Sequence, residues 1–278
     1  MKISWQTPEI TVFESSLYRT TSTVVDLGTS VLIVDPNWLP IEIETIFDFV
    51  DAYHRGKKQY LVFTHSDYDH IIGAGKFSNA TVISSETFAK NEDKERVLRQ
   101  IQDFDNEYYI SRSYPIEYPK ADIQIKSDMQ KLNLDDVELV FYLAPGHTPD
   151  GLFIIIPKLK LWIAGDYLSN IEMPFIDHDL DQYVNTLKKS ENIIGTFQEI
   201  LYLIPGHGDI ALSRSEIKKR IKSDCKYLQF LNQSLKNADK KSESKIRELI
   251  NKYSSNPTLI TAHEKNIRLL SDQQLRMT

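Results

Sequence analysis

Four β-rich segments of the sequence run directly into short polar motifs that contain histidine or aspartate. The first segment covers residues 59–64 and ends at His65. A second β-rich block lies further along the chain, and three of its four strands are followed by Pro145-Gly146-His147, Gly165-Asp166 and Pro205-Gly206-His207. Because strand ends commonly present reactive groups to solvent, this repetition predicts a β structure that carries its chemistry at the ends of its strands.

The order of the remaining segments predicts two β-rich halves with helices on the outside. Residues 10–35 are typical of a β meander, and an amphipathic helix with apolar residues at helical spacing follows up to Gly56. A charged helix is predicted over about residues 86–108, and another over residues 179–196 in the second half. We therefore predict an α/β fold, specifically an αβ/βα four-layer sandwich.

The C-terminal part of the chain has a different composition from the β-rich halves. Residues 213–278 are rich in Lys, Glu, Ser and Gln and show a helical pattern without a strand of comparable quality. We predict that residues 1–212 form the layered core. The helices of residues 213–278 are expected to pack on the same domain rather than to form a separate catalytic domain.

The charge balance and the apolar pattern restrict the partners of this chain. A net charge of −6 provides no general basic field for nucleic acid phosphates. The single cysteine, Cys225, has no partner for an internal disulfide, and no apolar run approaches the length of a membrane span. We expect a cytoplasmic protein with a small-molecule substrate and no nucleic acid or membrane partner, and the oligomeric state stays open.

The polar motifs combine the two ligand types that transition metals prefer. Four of the seven histidines and three aspartates lie in or beside these motifs. Imidazole nitrogen together with carboxylate oxygen suits Zn²⁺, Mn²⁺ or Fe, whereas Ca²⁺ and Mg²⁺ call for oxygen ligands alone. In an extended segment residues i and i+2 face the same way, so three of these groups can converge within one short stretch. The candidate ligands are His65, Asp67, Asp69, His70, His147, Asp166 and His207.

In order and spacing these motifs resemble the metallo-β-lactamase superfamily, whose members carry a His-x-His-x-Asp-His segment and later histidine, aspartate and histidine motifs. The resemblance covers roughly the first 210 residues. It implies a hydrolase in which a metal-bridging hydroxide attacks an ester, thioester, lactone, amide or phosphoester bond. It also implies two divalent metal ions, most often Zn²⁺, with Asp166 bridging both. One metal would take His65, Asp67 and His147, and the other Asp69, His70 and His207.

The sequence departs from the family pattern at Asp67, where most members have histidine. Two histidines and one carboxylate suit catalytic zinc and also non-haem iron, so Fe and Mn remain open beside Zn. Flavodiiron proteins of the same superfamily similarly carry an acidic residue here, and one alternative is therefore a di-iron redox protein. The roughly 65 residues after Ser213 are too few and too poor in glycine for their flavin domain. A non-catalytic, metal-stabilised binding protein is the other alternative.

Three residues beside or among the ligands are candidate catalytic residues. Asp69 belongs to the motif that the resemblance assigns to the reaction centre. Tyr68 and Tyr167 lie next to ligands in the sequence and could donate a hydrogen bond to the substrate or protonate its leaving group. For each tyrosine, simple packing within a β-rich fold is the alternative.

Overall fold

The first of two β-sheets contains seven strands in the same order in space as along the chain. The computed structural model describes residues 1–237, 240–253 and 257–276. The strands are β1 (Lys2–Gln6), β2 (Ile10–Glu14), β3 (Thr21–Asp26), β4 (Ser30–Val34), β5 (Lys58–Val62), β6 (Thr81–Ser85) and β7 (Ile123–Ile125). Strands β1 to β4 pair antiparallel, as the predicted meander requires, whereas β4 to β7 pair parallel.

The second sheet contains five strands, three of which end at the same edge. They are β8 (Gln130–Leu134), β9 (Val137–Leu143), β10 (Leu152–Ile156), β11 (Leu161–Ile163) and β12 (Tyr202–Ile204). Strand β10 runs antiparallel to both β9 and β11, while β11 and β12 are parallel. Strands β9, β11 and β12 therefore point in one direction, and the loops that follow them lie together.

The two sheets pack face to face around one buried apolar cluster. Val62 and Ile83 of the first sheet belong to the same cluster as Phe141 and Ile154 of the second sheet, and all four are fully buried. Burying a side chain of this size stabilises a fold by about 1.5–3 kcal/mol. The apolar face of each sheet thus holds the two halves of the chain together.

Helices cover the outer face of the first sheet. Ile43, Ile46 and Val50 recur at helical spacing and are buried in one cluster with Leu61 and Phe63. Their helix begins at a proline, which the first helical turn tolerates because it needs no backbone N–H donor. The helices of this half are α1 (Pro40–Tyr53), α2 (Tyr68–Ile71), α3 (Glu86–Ala89) and α4 (Lys94–Glu107).

The outer face of the second sheet is covered in the same way by the C-terminal half of the chain. Leu187, Tyr227 and Leu231 are buried together with Phe153 and Trp162 of the sheet. The helices here are α5 (Leu180–Thr196), α6 (Arg214–Asn237), α7 (Lys240–Tyr253) and α8 (Thr258–Arg276). The predicted four-layer αβ/βα sandwich is confirmed.

Contacts of the C-terminal helices bear on the predicted domain organisation. Tyr227 and Leu231 of α6 share one apolar cluster with the second sheet, and α6 packs on α5, α7 and α8. On this contact we propose that residues 213–278 belong to the same domain as the layered core. None of the helices in the described ranges combines the length and the apolarity that a membrane span requires.

The charged helix predicted over residues 86–108 is interrupted. Helix α3 is capped by Ser85, whose hydroxyl accepts a hydrogen bond from the Phe88 N–H at 3.0 Å, and it ends after one turn. Asn91 then accepts a hydrogen bond from the Asp93 N–H at 2.9 Å, which forms a turn before α4. Asparagine and aspartate side chains compete with helical backbone hydrogen bonds in this way, and the charge pattern alone did not reveal it.

Candidate metal centre

All seven predicted ligands lie at strand ends where the two sheets meet. His65 follows β5, and Asp67, Asp69 and His70 come from the turn and helix α2 directly after it. His147 follows β9, Asp166 follows β11 and His207 follows β12. Because β9, β11 and β12 end at one edge, the second sheet delivers three ligands to one place.

The seven side chains form two groups, and each group could hold a metal ion. Within each group the ligand atoms lie within 4.8 Å of one another. Five of these side chains are buried, whereas those of Asp67 and Asp166 are 34% and 11% exposed. The first group consists of His65, Asp67, His147 and Asp166, and the second of Asp69, His70 and His207.

The Asp166 carboxylate lies between the two groups. Its Oδ2 atom is 3.6 Å from His65 Nε2 and 3.4 Å from His147 Nε2 in the first group. In the second group the same atom is 3.3 Å from His207 Nε2, and Oδ1 is 3.1 Å from His70 Nε2. One carboxylate therefore faces four imidazole nitrogens that come from both groups, as a bridging ligand would.

The spacing of the ligand atoms fits a metal ion better than direct hydrogen bonding. Ligands about 2.0–2.1 Å from a tetrahedral zinc ion lie about 3.3–3.4 Å from each other, and the distances between the Nε2 atoms and the Asp166 oxygens are 3.1–3.6 Å. Within the described residues, His65 Nε2, His70 Nε2 and Asp166 Oδ1 are buried and lack a hydrogen-bond partner. Buried polar atoms that converge without partners are what a metal site contains in the absence of its ion.

Asp35 fixes the orientation of two of the histidines. Its Oδ2 atom lies 3.0 Å from His70 Nδ1 and accepts a hydrogen bond from the Thr64 hydroxyl at 2.5 Å. The same hydroxyl lies 3.0 Å from His65 Nδ1. Because the Nδ1 atom of each ring donates to these oxygens, Nε2 keeps its lone pair for a metal.

The other two histidines donate to backbone carbonyl groups. His147 Nδ1 lies 2.8 Å from the Phe175 carbonyl oxygen, and His207 Nδ1 lies 3.0 Å from the Tyr18 carbonyl oxygen. A carbonyl oxygen only accepts hydrogen bonds, so Nδ1 carries the proton in both rings. All four histidines therefore present an unprotonated Nε2 to the same region in their neutral form.

The loop that holds His147 is itself held by helix α8. Asn266 accepts a hydrogen bond from the Ile176 N–H at 2.9 Å and donates one to the Pro174 carbonyl at 2.8 Å. Between these two residues lies Phe175, whose carbonyl accepts the hydrogen bond from His147. The C-terminal helix thus contacts the candidate metal centre through a single intervening residue.

In the metal-free site, burial and the charges of neighbouring ligands shift the pKa values of the candidate ligands. Burial raises the pKa of Asp69, and Asp166 and Asp67 add to this shift. In spite of its burial, Asp166 has a pKa well below the ordinary range because His207 and His70 face it. Burial alone would lower the pKa of His207, but Asp166 and Glu172 raise it to about 10. Without metal the histidines therefore retain protons, which a metal ion has to displace on binding.

The structure gives Tyr167 a different role from the one predicted. Its ring is buried, and its hydroxyl accepts a hydrogen bond from the His147 N–H at 3.0 Å and donates one to the Ala144 carbonyl at 3.1 Å. A hydroxyl with both of these partners is not free to protonate a leaving group. Tyr167 instead connects the loop of His147 to the end of β9.

Tyr68 is more exposed than Tyr167. It is half-buried, and its ring centroid is 5.4 Å from that of Trp38 and 6.3 Å from that of Phe104. Burial, with a further contribution from Asp69, raises the pKa of its hydroxyl above the ordinary value. The hydroxyl is therefore protonated at neutral pH, as a hydrogen-bond donor to a substrate must be.

Several residues that support the site were not singled out from the sequence. Asp35 and Thr64 each end a β-rich segment, and an aspartate directly after an apolar strand is a signal that could have identified Asp35. Glu172 lies 4.0 Å from His207 Nδ1, and burial raises its pKa. No pattern in the sequence marks Glu172 or Asn266, because both reach the site through tertiary packing alone.

A cavity of about 750 Å³ adjoins the second group of ligands. Tyr18 and Glu172 belong to its wall, and both also contact His207. The cavity is large enough for a drug-sized organic molecule. It is lined by Ser16, Leu17, Tyr18, Arg19, Leu39, Phe104, Tyr108, Ile110, Ile171, Glu172 and Leu259.

Comparison with known sequences identifies a family model that matches most of the chain. The model of the metallo-beta-lactamase superfamily matches residues 17–230, which include all seven candidate ligands. A metallo-beta-lactamase type 2 from Elizabethkingia meningoseptica is 22% identical over 199 residues, which cover 71% of this chain and 72% of that protein.

Comparison with solved structures supports the fold. A metallo-beta-lactamase from Pontibacter korlensis matches 80% of this chain and 97% of its own chain, with a TM-score of 0.56 and 14% identity. A sec-alkylsulfatase from Pseudomonas sp. matches 84% of this chain, with a TM-score of 0.66 and 15% identity. The match spans only 42% of the sulfatase chain.

Proposed function

The chain belongs to the metallo-beta-lactamase superfamily, and from this premise we propose that it is a metal-dependent hydrolase with a two-metal centre. The observation that carries the proposal is the position of Asp166, whose carboxylate faces Nε2 atoms of both ligand groups at 3.1–3.6 Å. A shared carboxylate of this kind would hold two cations, which would supply the activation of water and of the substrate oxygen that hydrolysis needs. We take zinc as the first choice of metal, with iron and manganese next.

The protein's own residues would prepare the site for hydrolysis in three ways. The seven ligands would hold two divalent ions, which when bound polarise the substrate oxygen and lower the pKa of a water molecule. Asp35 and the carbonyl groups of Phe175 and Tyr18 keep the imidazole rings oriented. We also keep for Asp69 the predicted catalytic role, in which its carboxylate would accept the proton that hydrolysis releases.

The exposure of the ligands indicates where a substrate approaches. The side chain of Asp67 is 34% exposed, whereas those of His65 and His147 are 2% and 4% exposed. The site is therefore more open on the side of Asp67 than on the side of His65 and His147. We propose that a small molecule with an ester, thioester, lactone, amide or phosphoester bond enters here, and that the Tyr68 hydroxyl contacts it.

Metal-dependent turnover tests the proposal. The purified protein is stripped with a chelator, reloaded with Zn²⁺, Mn²⁺ or Fe²⁺, and assayed with chromogenic esters, thioesters, lactones, amides and phosphoesters. We expect turnover with at least one metal and a loss of at least 100-fold in Asp166→Asn. The matched control Asp136→Asn, at an exposed turn, should keep the wild-type rate. Circular dichroism establishes that both variants are folded.

Two results would overturn the proposal. Stoichiometric redox-active iron without hydrolysis of any substrate class would establish the di-iron redox alternative. A metal-loaded protein that hydrolyses none of the substrates and shows no redox activity would leave the metal a purely stabilising role.

A further inference from the structure

We propose that the cavity beside His207 selects substrates whose non-reacting part is apolar and carries a positively charged group, with Glu172 as the specificity-determining residue. This inference rests on the proposed function, because it names the class of molecule that the same centre would hydrolyse. The observations that support the inference are the composition of the cavity wall and the position of the Glu172 carboxylate within it.

Most of the residues that line the cavity are apolar or aromatic. Phe104, Tyr108 and Ile110 form one side, and Leu259 of α8 contributes from the C-terminal part of the chain. Tyr18 and Tyr108 are 51% and 57% exposed, although aromatic side chains are normally more buried than this. An apolar substrate group would remove this surface from water, which is a favourable contribution to binding.

Glu172 is the one acidic residue among the described residues that line the cavity. Its side chain is only 17% exposed, and its carboxylate accepts no hydrogen bond from the described part of the chain. The one ion pair that it makes there joins Oε1 to His207 Nδ1 at 4.0 Å. A largely buried carboxylate without close partners is costly, and a cationic ligand would supply the missing interaction.

The other charged residue of the wall, Arg19, does not neutralise Glu172. Its guanidinium group donates to both carboxylate oxygens of Glu14 at 3.0–3.1 Å and also forms an ion pair with Asp209. Arg19 is therefore already paired with two carboxylates outside the cavity. Glu172 is thus the charged group of the wall that lacks a close counter-charge, and the faces of the tyrosine and phenylalanine rings favour cations as well.

The cavity borders two residues that contact His207, although none of the seven candidate ligands lines it. Tyr18 lines the cavity, and its carbonyl oxygen accepts the hydrogen bond from His207. Its backbone is in the left-handed region, with φ of 51°, which is uncommon for tyrosine. A substrate group in the cavity would therefore lie beside the His207 ring.

Direct binding tests the inference without any need for turnover. Binding of benzyltrimethylammonium to the metal-loaded protein is measured by isothermal titration calorimetry, since a quaternary ammonium cannot coordinate a metal. We expect saturable binding that is at least tenfold weaker in Glu172→Gln. The exposed control Glu199→Gln should bind as the wild type does. Equal affinity in wild type and Glu172→Gln, or no binding to the wild type, would overturn the inference.

A pair of isosteric substrates tests selectivity during hydrolysis. The 4-nitrophenyl esters of 5-(trimethylammonio)pentanoate and 6,6-dimethylheptanoate differ by a single replacement of nitrogen by carbon. We expect the ratio of their kcat/KM values to favour the cationic ester by at least tenfold and to fall towards one in Glu172→Gln. A general weakening of the metal centre would lower both values and leave their ratio unchanged, so such a result would contradict the inference.

The binding experiment and the hydrolysis experiment test this inference and the proposed function separately. If benzyltrimethylammonium binds through Glu172 but no ester is hydrolysed, the cavity assignment stands and the hydrolase proposal fails. If esters are hydrolysed without charge selectivity, the hydrolase proposal stands and the cavity assignment fails.

Discussion

The contacts of Tyr167 illustrate how a residue beside a ligand in sequence can act on a different ligand in space. Asp166 precedes it in the chain, yet its hydroxyl accepts a hydrogen bond from the backbone of His147 at 3.0 Å. Its ring lies between Phe153 and Tyr183, with centroid distances of 5.2 and 4.5 Å. Tyr167 therefore acts as a positioning residue for the His147 loop.

Tyr167→Phe should destabilise the fold rather than remove a proton donor. The substitution leaves the His147 N–H and the Ala144 carbonyl without their partner, and each buried unsatisfied group costs about 1–3 kcal/mol. We expect a loss of this order in the free energy of unfolding, measured by urea denaturation, with Tyr68→Phe as the half-exposed comparison. An unchanged stability together with slower hydrolysis of esters that have poor leaving groups would assign Tyr167 to catalysis after all.

The candidate ligands could be predicted from the sequence, while their supporting partners could not. His65 to His70 form a compact motif, and the remaining ligands follow strands, so local pattern and residue type together identify them. Asn266 is 90 or more positions from the backbone groups that it binds. Contacts of such long range depend on packing, which local periodicity does not encode.

At the scale of single elements, α8 is the helix with the most direct influence on the centre. The Asn266 side chain binds backbone groups on both sides of Phe175, and its amide also donates to the Tyr227 hydroxyl at 2.8 Å. Helix α8 lies beyond residue 230, where the match to the family model ends. An element outside the matched region thus fixes a carbonyl that orients a candidate ligand.

Asn266→Ala should weaken metal binding without removing any ligand. Loss of support for a histidine that binds metal typically reduces metal affinity by about 10–100-fold. We expect a reduction in this range for one of the two zinc ions, measured by competition with a chromophoric chelator. Asn251→Ala on the exposed side of α7 is the control. Wild-type zinc affinity for both ions in a folded Asn266→Ala protein would contradict this account.

We expect Asp224 on α6 to make a pH-dependent contribution to the stability of the folded protein. Burial raises its pKa from the ordinary 3.8 to about 7, while a hydrogen bond from Tyr253 at 2.7 Å opposes the shift. Above about pH 4 the unfolded chain has lost this proton, whereas the folded protein retains it up to about pH 7. The contribution of Asp224 to stability therefore falls as the pH rises from about 4 to about 7.

Asp224→Asn should remove this pH dependence because asparagine does not titrate. The shift corresponds to a free energy on the order of 4 kcal/mol, so the difference in unfolding free energy between wild type and variant should change by several kcal/mol between pH 4.5 and pH 8. Chemical denaturation across this range measures it. Parallel pH profiles for the two proteins would show that Asp224 ionises normally in the folded state.

Element boundaries were less predictable than element types. Strands with β-branched residues, such as β4 and β10, and the amphipathic helix α1 follow from their patterns. Strands β7 and β8 each contain only two alternating apolar residues, Ile123 and Ile125 in β7 and Leu132 and Leu134 in β8. This pattern is too short to identify a strand, and the strand structure depends on pairing with β6 and β9. Tertiary pairing outweighs local propensity at such edges.

For the whole molecule, the candidate centre is a junction between the two sheets. Four of its ligands follow β5 and three follow strands of the second sheet. Bound metal would therefore connect the two halves of the chain, in addition to the apolar core that they share. The four-layer fold could be predicted from the order of elements, but this junction required the topology of both sheets.

Removal of the metal should lower the melting temperature. A ligand that binds only the folded state stabilises it by about 4 kcal/mol at a thousandfold excess over Kd, which for a domain of this size corresponds to a shift on the order of 10 °C. Differential scanning calorimetry before and after chelation measures the shift. Asp166→Asn should show little response to the chelator, and an unchanged melting temperature in fully stripped wild-type protein would contradict the expected coupling.

Anomalous X-ray diffraction from crystals of the zinc-loaded protein is the most direct test of a two-metal centre bridged by Asp166. The account predicts two anomalous peaks, one on each side of the Asp166 carboxylate and each within about 2.0–2.2 Å of its ligand atoms. His65, Asp67 and His147 should surround one peak, and Asp69, His70 and His207 the other. A single peak, or peaks that do not share Asp166, would contradict it.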